Sequence, residues 1–363
     1  MNTEHNQRTT IDERDRLIQR LAEERDLLAL QNQDQEKVIR DLVGRVVALE
    51  QRCRPIRWSK LPYRWAMRVI CKNPHPLGVL RQYSPRPPKL PAPHTPRPPA
   101  AIPGFCILTP SYEQGRFIER TLRSVLDQSY PQLRYGVQDG GSKDQTLDIL
   151  HRHSDQLAYL DSRPDHGQTH AINTGFKNLN PRPDEIMAWL NSDDILLPGA
   201  LNYVAAYFAK HPDIDVVYGH RIIIDEKDQE VGRWFLPEHS VETLRWVDYV
   251  PQETLFWRAS AWAKVGGLDE NLHFALDWSF LIKLEKAGCK IKRLPRFLGG
   301  FRVHAGQKTH LHIDSIGIKE MDALRPMQGM SLLEATKHIR NAVIRETRKS
   351  AMTFQLWRLG IKI

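Results

Sequence analysis

The sequence predicts an α/β protein built on a mostly parallel sheet flanked by helices, with a long helix ahead of it. Three observations lead there. Short apolar runs alternate with amphipathic stretches from residue 105 onward, each run ends in polar turn-forming residues, and a heptad pattern occupies residues 11–49. Strands that alternate with helices pair in parallel, because each helix is the crossover that returns the chain to the same edge. In open sheets of this kind ligands gather beyond the carboxyl ends of the strands.

Composition narrows the classes. The 363 residues are 41% hydrophobic and 26% charged, an ordinary balance for a globular protein. No apolar run approaches the ~18 residues that would suggest a transmembrane helix. The polar N-terminus is not a secretory signal, and Cys53, Cys71, Cys106 and Cys289 show no metal spacing. Reduced thiols and a cytoplasmic location are therefore expected. The formal charge of +9 is local: residues 51–112 hold eleven Lys or Arg and no Asp or Glu. The rest of the chain is near neutral, which argues against nucleic acid as the partner.

From Ile11 to Leu49, eight of the twelve heptad seam positions are apolar, with Asn32 among the polar ones. The pattern predicts a coiled coil within residues 1–52, and hence a homo-oligomer, with a single amphipathic helix as the simpler alternative. Residues 53–103 follow. Trp58, Tyr63 and Trp65 lie among Arg57, Lys60, Arg64 and Arg68, a mixture suited to peripheral contact with a membrane face. Nine prolines between Pro85 and Pro103 then predict a stiff, extended spacer and a domain boundary. Residues 104–309 form the expected catalytic domain, and 310–363 a C-terminal helical extension.

Within that domain "FCILTP" reads as a strand stopped by Pro110 and "GRFIERTLRSVLDQS" as a helix. "LRYGVQDGGS", "LAYLDSRPD" and "EIMAWLNSDD" read as further strands, with "DQTLDILHRHS" and "GQTHAINTGFKNL" as the helices between them. Polar signatures fall at the strand ends: Thr109–Tyr112, Asp139–Ser142, Asp161–Asp165 and Asn191–Asp194. Adjacent carboxylates such as Asp193 and Asp194 repel each other and are costly to desolvate, and a divalent cation removes that cost. Oxygen ligands suit Mg²⁺ or Mn²⁺, which commonly hold substrate phosphates as well. The simpler reading makes both residues caps. Gly140 and Gly141 permit a tight turn near a ligand, and Asp139 offers an acceptor. Neither GxGxxG nor GxxxxGK[ST] occurs, so dinucleotide and P-loop readings fall away.

The ordered stretches "CILTPSYEQGRFIERTLRSVLDQSYPQLRYGVQDGGSKDQTLDIL", "RPDHGQTHAINTGFK", "WLNSDDILLPGAL" and "PQETLFWRASAWAKVGGLDENLHFALDWSFLIKL" resemble an inverting family 2 glycosyltransferase with the GT-A fold. The resemblance runs from about Phe105 to Thr309. It implies a nucleotide-diphospho-sugar donor, with UDP ahead of dTDP or GDP, and a glycan or lipid-linked acceptor. By position it implies that Thr109, Pro110, Ser111 and Tyr112 line the base pocket and that Asp139 binds base or ribose. Asp165, Gly167 and Asn173 fall in a stretch used around the nucleotide. Asn191, Ser192, Asp193 and Asp194 stand for the family's acidic metal motif, with Asn191 replacing its first acid. The resemblance assigns Mn²⁺ or Mg²⁺ to Asp193, Asp194 and His304, and diphosphate to Arg302 or Lys308. Asp277, in "GGLDENLHFALDWSFLIKL", falls at the general base, with Leu276 where many members have Glu. An N-cap role for Asp277 is compatible with that. Gln252 and Trp278 are implied at the acceptor or donor sugar. The alternatives are a Mg²⁺-dependent nucleotidyltransferase and a non-catalytic oligomeric scaffold with a degenerate transferase domain.

Overall fold

The computed structural model describes residues 77–89, 103–307 and 313–358. The heptad segment, most of the basic segment, the proline-rich spacer beyond Lys89 and Lys308 lie outside the described residues. Nine strands and nine α-helices are named here in chain order. The strands are β1 (Phe105–Ser111), β2 (Leu133–Asp139), β3 (Tyr159–Ser162), β4 (Ile186–Trp189), β5 (Ile195–Leu196), β6 (Val216–Ile224), β7 (Glu230–Trp234), β8 (Phe256–Arg258) and β9 (Ile291–Arg302). The helices are α1 (Ile118–Leu126), α2 (Thr146–Arg152), α3 (Gln168–Leu179), α4 (Ala200–Lys210), α5 (Val241–Leu244), α6 (Ala259–Val265), α7 (Leu276–Lys286), α8 (Ile318–Leu324) and α9 (Leu332–Arg358).

The sheet has two halves. In the first, β3, β2, β1 and β4 pair in parallel, as the strand–helix alternation predicts. In the second, β8 pairs antiparallel with both β4 and β6, β6 runs parallel to β9, and β5 and β7 add antiparallel edges. The mostly parallel expectation therefore holds for the first half, while the second is mixed. Alternation along β1 sends its side chains to both faces. Cys106 and Leu108 join Ile172 and Phe176 of α3 and Trp278 and Leu281 of α7 in one core layer. Phe105 and Ile107 join Ile118 and Leu122 of α1, Leu150 of α2 and Val204 of α4 in the other. The approach of α3 to the sheet is close enough to require glycine: a Cβ on Gly175 would lie 2.5 Å from a methyl of Leu108.

One stretch assigned to the linker belongs to this domain. Residues 82–86 pair with β7, where Gln82 N donates to Val231 O at 2.8 Å and Glu230 N to Arg86 O at 2.7 Å. The buried Glu230 carboxylate accepts from Tyr83, Arg86 and Arg233. Burial alone would raise Glu230, but Arg233, Tyr83 and Arg86 outweigh it and hold the carboxyl below its usual range. The prolines after Lys89 thus follow a segment already docked on the sheet edge. Among the described residues no helix is long and apolar enough to cross a membrane.

Candidate active site

The site lies where the parallel strands end. The register of β1 with β4 stops at Leu108–Trp189, so Pro110 sits beyond that pairing, where its missing N–H removes no ladder bond to β4. The strand continues one residue past the proline, to Ser111. Ser111 O accepts from Gly140 N at 2.8 Å, and its buried Oγ has no hydrogen-bond partner. Tyr112 is 62% exposed, and a Cβ on Gly140 would come within 3.2 Å of its ring and 3.1 Å of Asp165 Oδ2. Tyr112, Gly140 and Asp165 therefore adjoin on one rim. Asp165 Oδ1 accepts from Gly167 N at 2.7 Å, and Gln168 Nε2 donates to Asn191 Oδ1 at 2.8 Å, which continues the rim to the end of β4.

Several side chains implied at the nucleotide are committed elsewhere. Thr109 is fully buried, its hydroxyl 2.8 Å from that of Tyr135, so it braces β1 against β2. Asp139 is also closed to solvent. Its Oδ2 accepts from Gly141 N, Ser142 N and Ser162 Oγ, and its Oδ1 from Ser142 Oγ at 2.6 Å. It shapes the Gly140–Ser142 loop, where Gly141 takes a positive φ of 83°. Asn173 lies further along α3 and ties the turn before α7, donating to Leu268 O and Glu270 Oε1 and accepting from Leu268 N. Each departure has one cause: a polar residue in a buried setting satisfies its own neighbourhood first.

The adjacent aspartates part company. The β4–β5 turn is braced by Thr121 of α1, whose hydroxyl bonds Ser192 O at 2.9 Å and Asp194 O at 2.7 Å. Asp193 turns outward, with Oδ2 3.1 Å from His304 Nε2. Asp194 turns inward, 1% exposed, and accepts from Arg302 N at 2.9 Å. Burial and the charges of Asp193 and Glu253 push the Asp194 carboxyl well above its ordinary range, against Arg302 N and the Arg221 guanidinium. Among the described residues no three His, Cys, Asp or Glu side chains converge as metal ligands. Of Asp193, Asp194 and His304, the first and last touch each other, while Asp194 lies buried on Arg302 N. Arg302 is not turned to a diphosphate. It is fully buried, and its guanidinium binds Asp193 O at 2.7 Å, Asp225 O at 3.0 Å and Asp228 Oδ1. It locks the loop that carries Asp193.

The helix α7 carries Asp277 one residue inside its first turn, after an N-cap at Ala275. Asp277 Oδ1 accepts from Trp278 N at 2.9 Å. The next side chain along the helix points into the core. Trp278 is fully buried, with Nε1 donating to Leu244 O at 2.6 Å, and packs in the core. Gln252 donates to Trp189 O at 2.8 Å and leaves Oε1 buried without a partner.

Three residues here carry no motif in the sequence. Glu253 and Arg221 form a buried two-point ion pair, with Nε–Oε1 at 2.8 Å. Asp248 is open to solvent and lies within electrostatic reach of Asp277 and Arg221. Its surroundings and the Asp277 carboxylate push it above the usual range, opposed by Arg221, and water access moderates that push. Arg221 thus acts on both Asp194 and Asp248. "DYVPQE" places Asp248 and Glu253 beside Gln252, but single carboxylates in a loop carry no spacing that marks them.

A parallel half-sheet whose strand ends gather loop carboxylates, continued by a mixed half with an acid at a helix start, defines a GT-A-like glycosyltransferase domain. Residues 106–261 match the family model described as Glycosyl transferase family 2. Asp277 and His304 lie beyond the matched residues. An uncharacterized glycosyltransferase of Rickettsia prowazekii is 26% identical over 220 residues, 58% of this chain and 67% of that protein. The chondroitin synthase of Pasteurella multocida is 26% identical over 224 residues, covering 61% of this chain but 22% of that protein. The match therefore spans about a fifth of the synthase. The crystal structure of S. aureus TarS 1–349 in complex with UDP-GlcNAc aligns with a TM-score of 0.51 at 18% identity, over 72% of this chain and 76% of that one. That likeness is one of fold.

Proposed function

We propose that this glycosyltransferase moves a sugar from a nucleoside diphosphate, UDP first among the candidates, to a hydroxyl of a glycan or lipid-linked acceptor, with inversion. What carries the reading is that Arg221 lies within electrostatic reach of both Asp194, next to the Asp193–His304 contact, and Asp248, next to Asp277. UDP is favoured because the aligned TarS structure holds UDP-GlcNAc, and a polysaccharide acceptor because a chondroitin synthase is among the relatives.

Asp193 Oδ2 and His304 Nε2 suit Mg²⁺ or Mn²⁺ as an open pair of oxygen and nitrogen donors. A cation that also holds phosphates and waters needs few protein ligands. When bound, it would supply charge neutralisation to the departing diphosphate. The remaining steps belong to the chain. Tyr112 offers an exposed ring for the base to stack on, beside Asp165 and the glycine turn. Asp277 takes the proton of the acceptor hydroxyl as that oxygen bonds to the anomeric carbon, and the nucleoside diphosphate leaves from the opposite face. The Gln252 Oε1 and Ser111 Oγ atoms, buried without partners, are acceptors available to sugar or nucleotide hydroxyls.

The test is turnover of UDP-, dTDP- and GDP-sugars with Mn²⁺, followed as nucleotide release with water or added glycan as acceptor. Release from a UDP-sugar that is lost in Asp277→Asn supports the reading. Wild-type turnover in Asp277→Asn removes Asp277 as the base.

A further inference from the structure

The C-terminal extension reaches the start of α7. Glu320, in α8, places its carboxylate against three consecutive backbone donors: His273 N to Oε1 at 2.8 Å, Phe274 N to Oε2 at 2.8 Å and Ala275 N to Oε2 at 2.9 Å. Those amides end two residues before Asp277. The helix has Ala275 as its N-cap, which offers no side-chain oxygen, and Glu320 binds the N–H of that residue and of the two residues leading into it. The approach is close: a Cβ on Gly317, just before α8, would lie 2.9 Å from the Phe274 ring.

Other contacts hold the extension in register around the same mouth. Arg325 Nε donates to Trp246 O at 3.1 Å, and its guanidinium lies 5.5 Å from the Trp278 ring centroid. His338 of α9 stacks on Trp246 with centroids 4.7 Å apart, and Glu346 accepts from Thr243 at 2.8 Å in a buried setting. The loop that bears Asp248 and the helix that bears Asp277 are thus pinned from one side by α8 and α9.

We propose that Glu320 is a positioning residue for Asp277: from outside the catalytic half-sheets it fixes the start of α7 and sets the electrostatic field in which the base works. This rests on Asp277 as the base. A helix N-terminus presents positive potential, which favours an ionised carboxylate and so weakens it as a base. A carboxylate bound to the three amides ahead of that terminus opposes the potential and makes Asp277 more basic. Charged groups near Asp277 include Asp248 from the preceding loop, with Arg221 behind it, and His273 and Glu320 on the N-terminal side. Arg325 lies over the neighbouring Trp278. Of these, Glu320 alone binds the backbone that leads into the helix through three donors.

The experiment compares the full-length wild type with Glu320→Gln, Glu320→Asp and Glu320→Ala. The Asp277 carboxyl is titrated by carbon-13 NMR, its resonance identified by loss in Asp277→Asn. Glu320→Gln is isosteric and removes the charge. It should lower the Asp277 titration midpoint by about half a pH unit. The acid limb of nucleotide release should follow it, with kcat down about tenfold to a hundredfold and nucleotide affinity unchanged. Glu320→Asp, which keeps the charge, should restore part of the rate. A purely structural brace would lower thermal stability in Glu320→Ala while leaving the Asp277 midpoint of folded Glu320→Gln unmoved, and that outcome overturns the proposal. Wild-type turnover in Asp277→Asn would instead overturn the base assignment, and the proposal with it.

Discussion

On the nucleotide side of the cleft, Asp139 accepts from two backbone N–H groups and two serine hydroxyls, whereas on the transfer side Asp194 accepts from Arg302 N and faces Asp193 and Glu253. Asp144, in the same loop, is also bound by backbone and hydroxyl donors: burial would raise it, but Thr146 and Gly115 hold it below the usual carboxylate range. Asp194 and Asp248 behave in the opposite way, both pushed upward. Carboxylates solvated by fixed N–H and O–H donors build rigid loops and have little left for a ligand. Carboxylates set against one another store unfavourable charge, which a cation or a transferred proton relieves. On the proposed reading, the difference separates a scaffolding set of Asp residues from a reacting one.

The comparison can be broken by substitution. The largest expected effect is that of Asp277→Asn, which should cut sugar transfer by about 10²–10⁴-fold while leaving nucleotide binding intact. Nucleotide release with and without acceptor, beside a binding isotherm, separates the two. Next comes Arg221→Met, which leaves the Glu253 carboxylate buried and alone beside Asp194. A loss of about 3–5 kcal/mol in urea unfolding is expected, and a near-neutral result would mean that the transfer side does not depend on this cation. The smallest effect sharpens the other side. Thr109→Val strands the buried Tyr135 hydroxyl and should cost about 1–2 kcal/mol of stability with no change in nucleotide affinity. A clear loss of affinity at unchanged stability would return Thr109 to the pocket.

Much of the parallel half was legible in the sequence. Periodicity and turn residues placed β1 to β4 and α1 to α3 within a few residues, and the polar ends of those strands marked the cleft. The mixed half was not, because β6 is buried along its whole length and β9 along most of its C-terminal half, and these runs carry no alternation to read. Resemblance by position identified Asp193 and His304, which touch, but could not tell an outward Asp193 from an inward Asp194. That choice depends on Thr121 and the Arg302 amide, which are distant in sequence. Thr109, Asp139 and Trp278 matched the motif and are nonetheless buried, since a motif records residue order and not which face a side chain takes. Glu320 was invisible for a similar reason. In "IKEMDAL" it is an ordinary helical glutamate, and only the tertiary approach of α8 brings it to the head of α7.

The central claim is that Asp193, and not its neighbour, belongs to the diphosphate site. Thermal stability of the wild type, Asp193→Asn and Asp194→Asn, each with UDP alone, Mn²⁺ alone and both together, tests it most directly. A ligand held only by the folded chain at a hundredfold excess over its Kd stabilises by about 2.7 kcal/mol. The account predicts a shift with UDP that depends on Mn²⁺ in the wild type and in Asp194→Asn, and that is lost in Asp193→Asn. The reverse pattern, lost in Asp194→Asn and kept in Asp193→Asn, would contradict it.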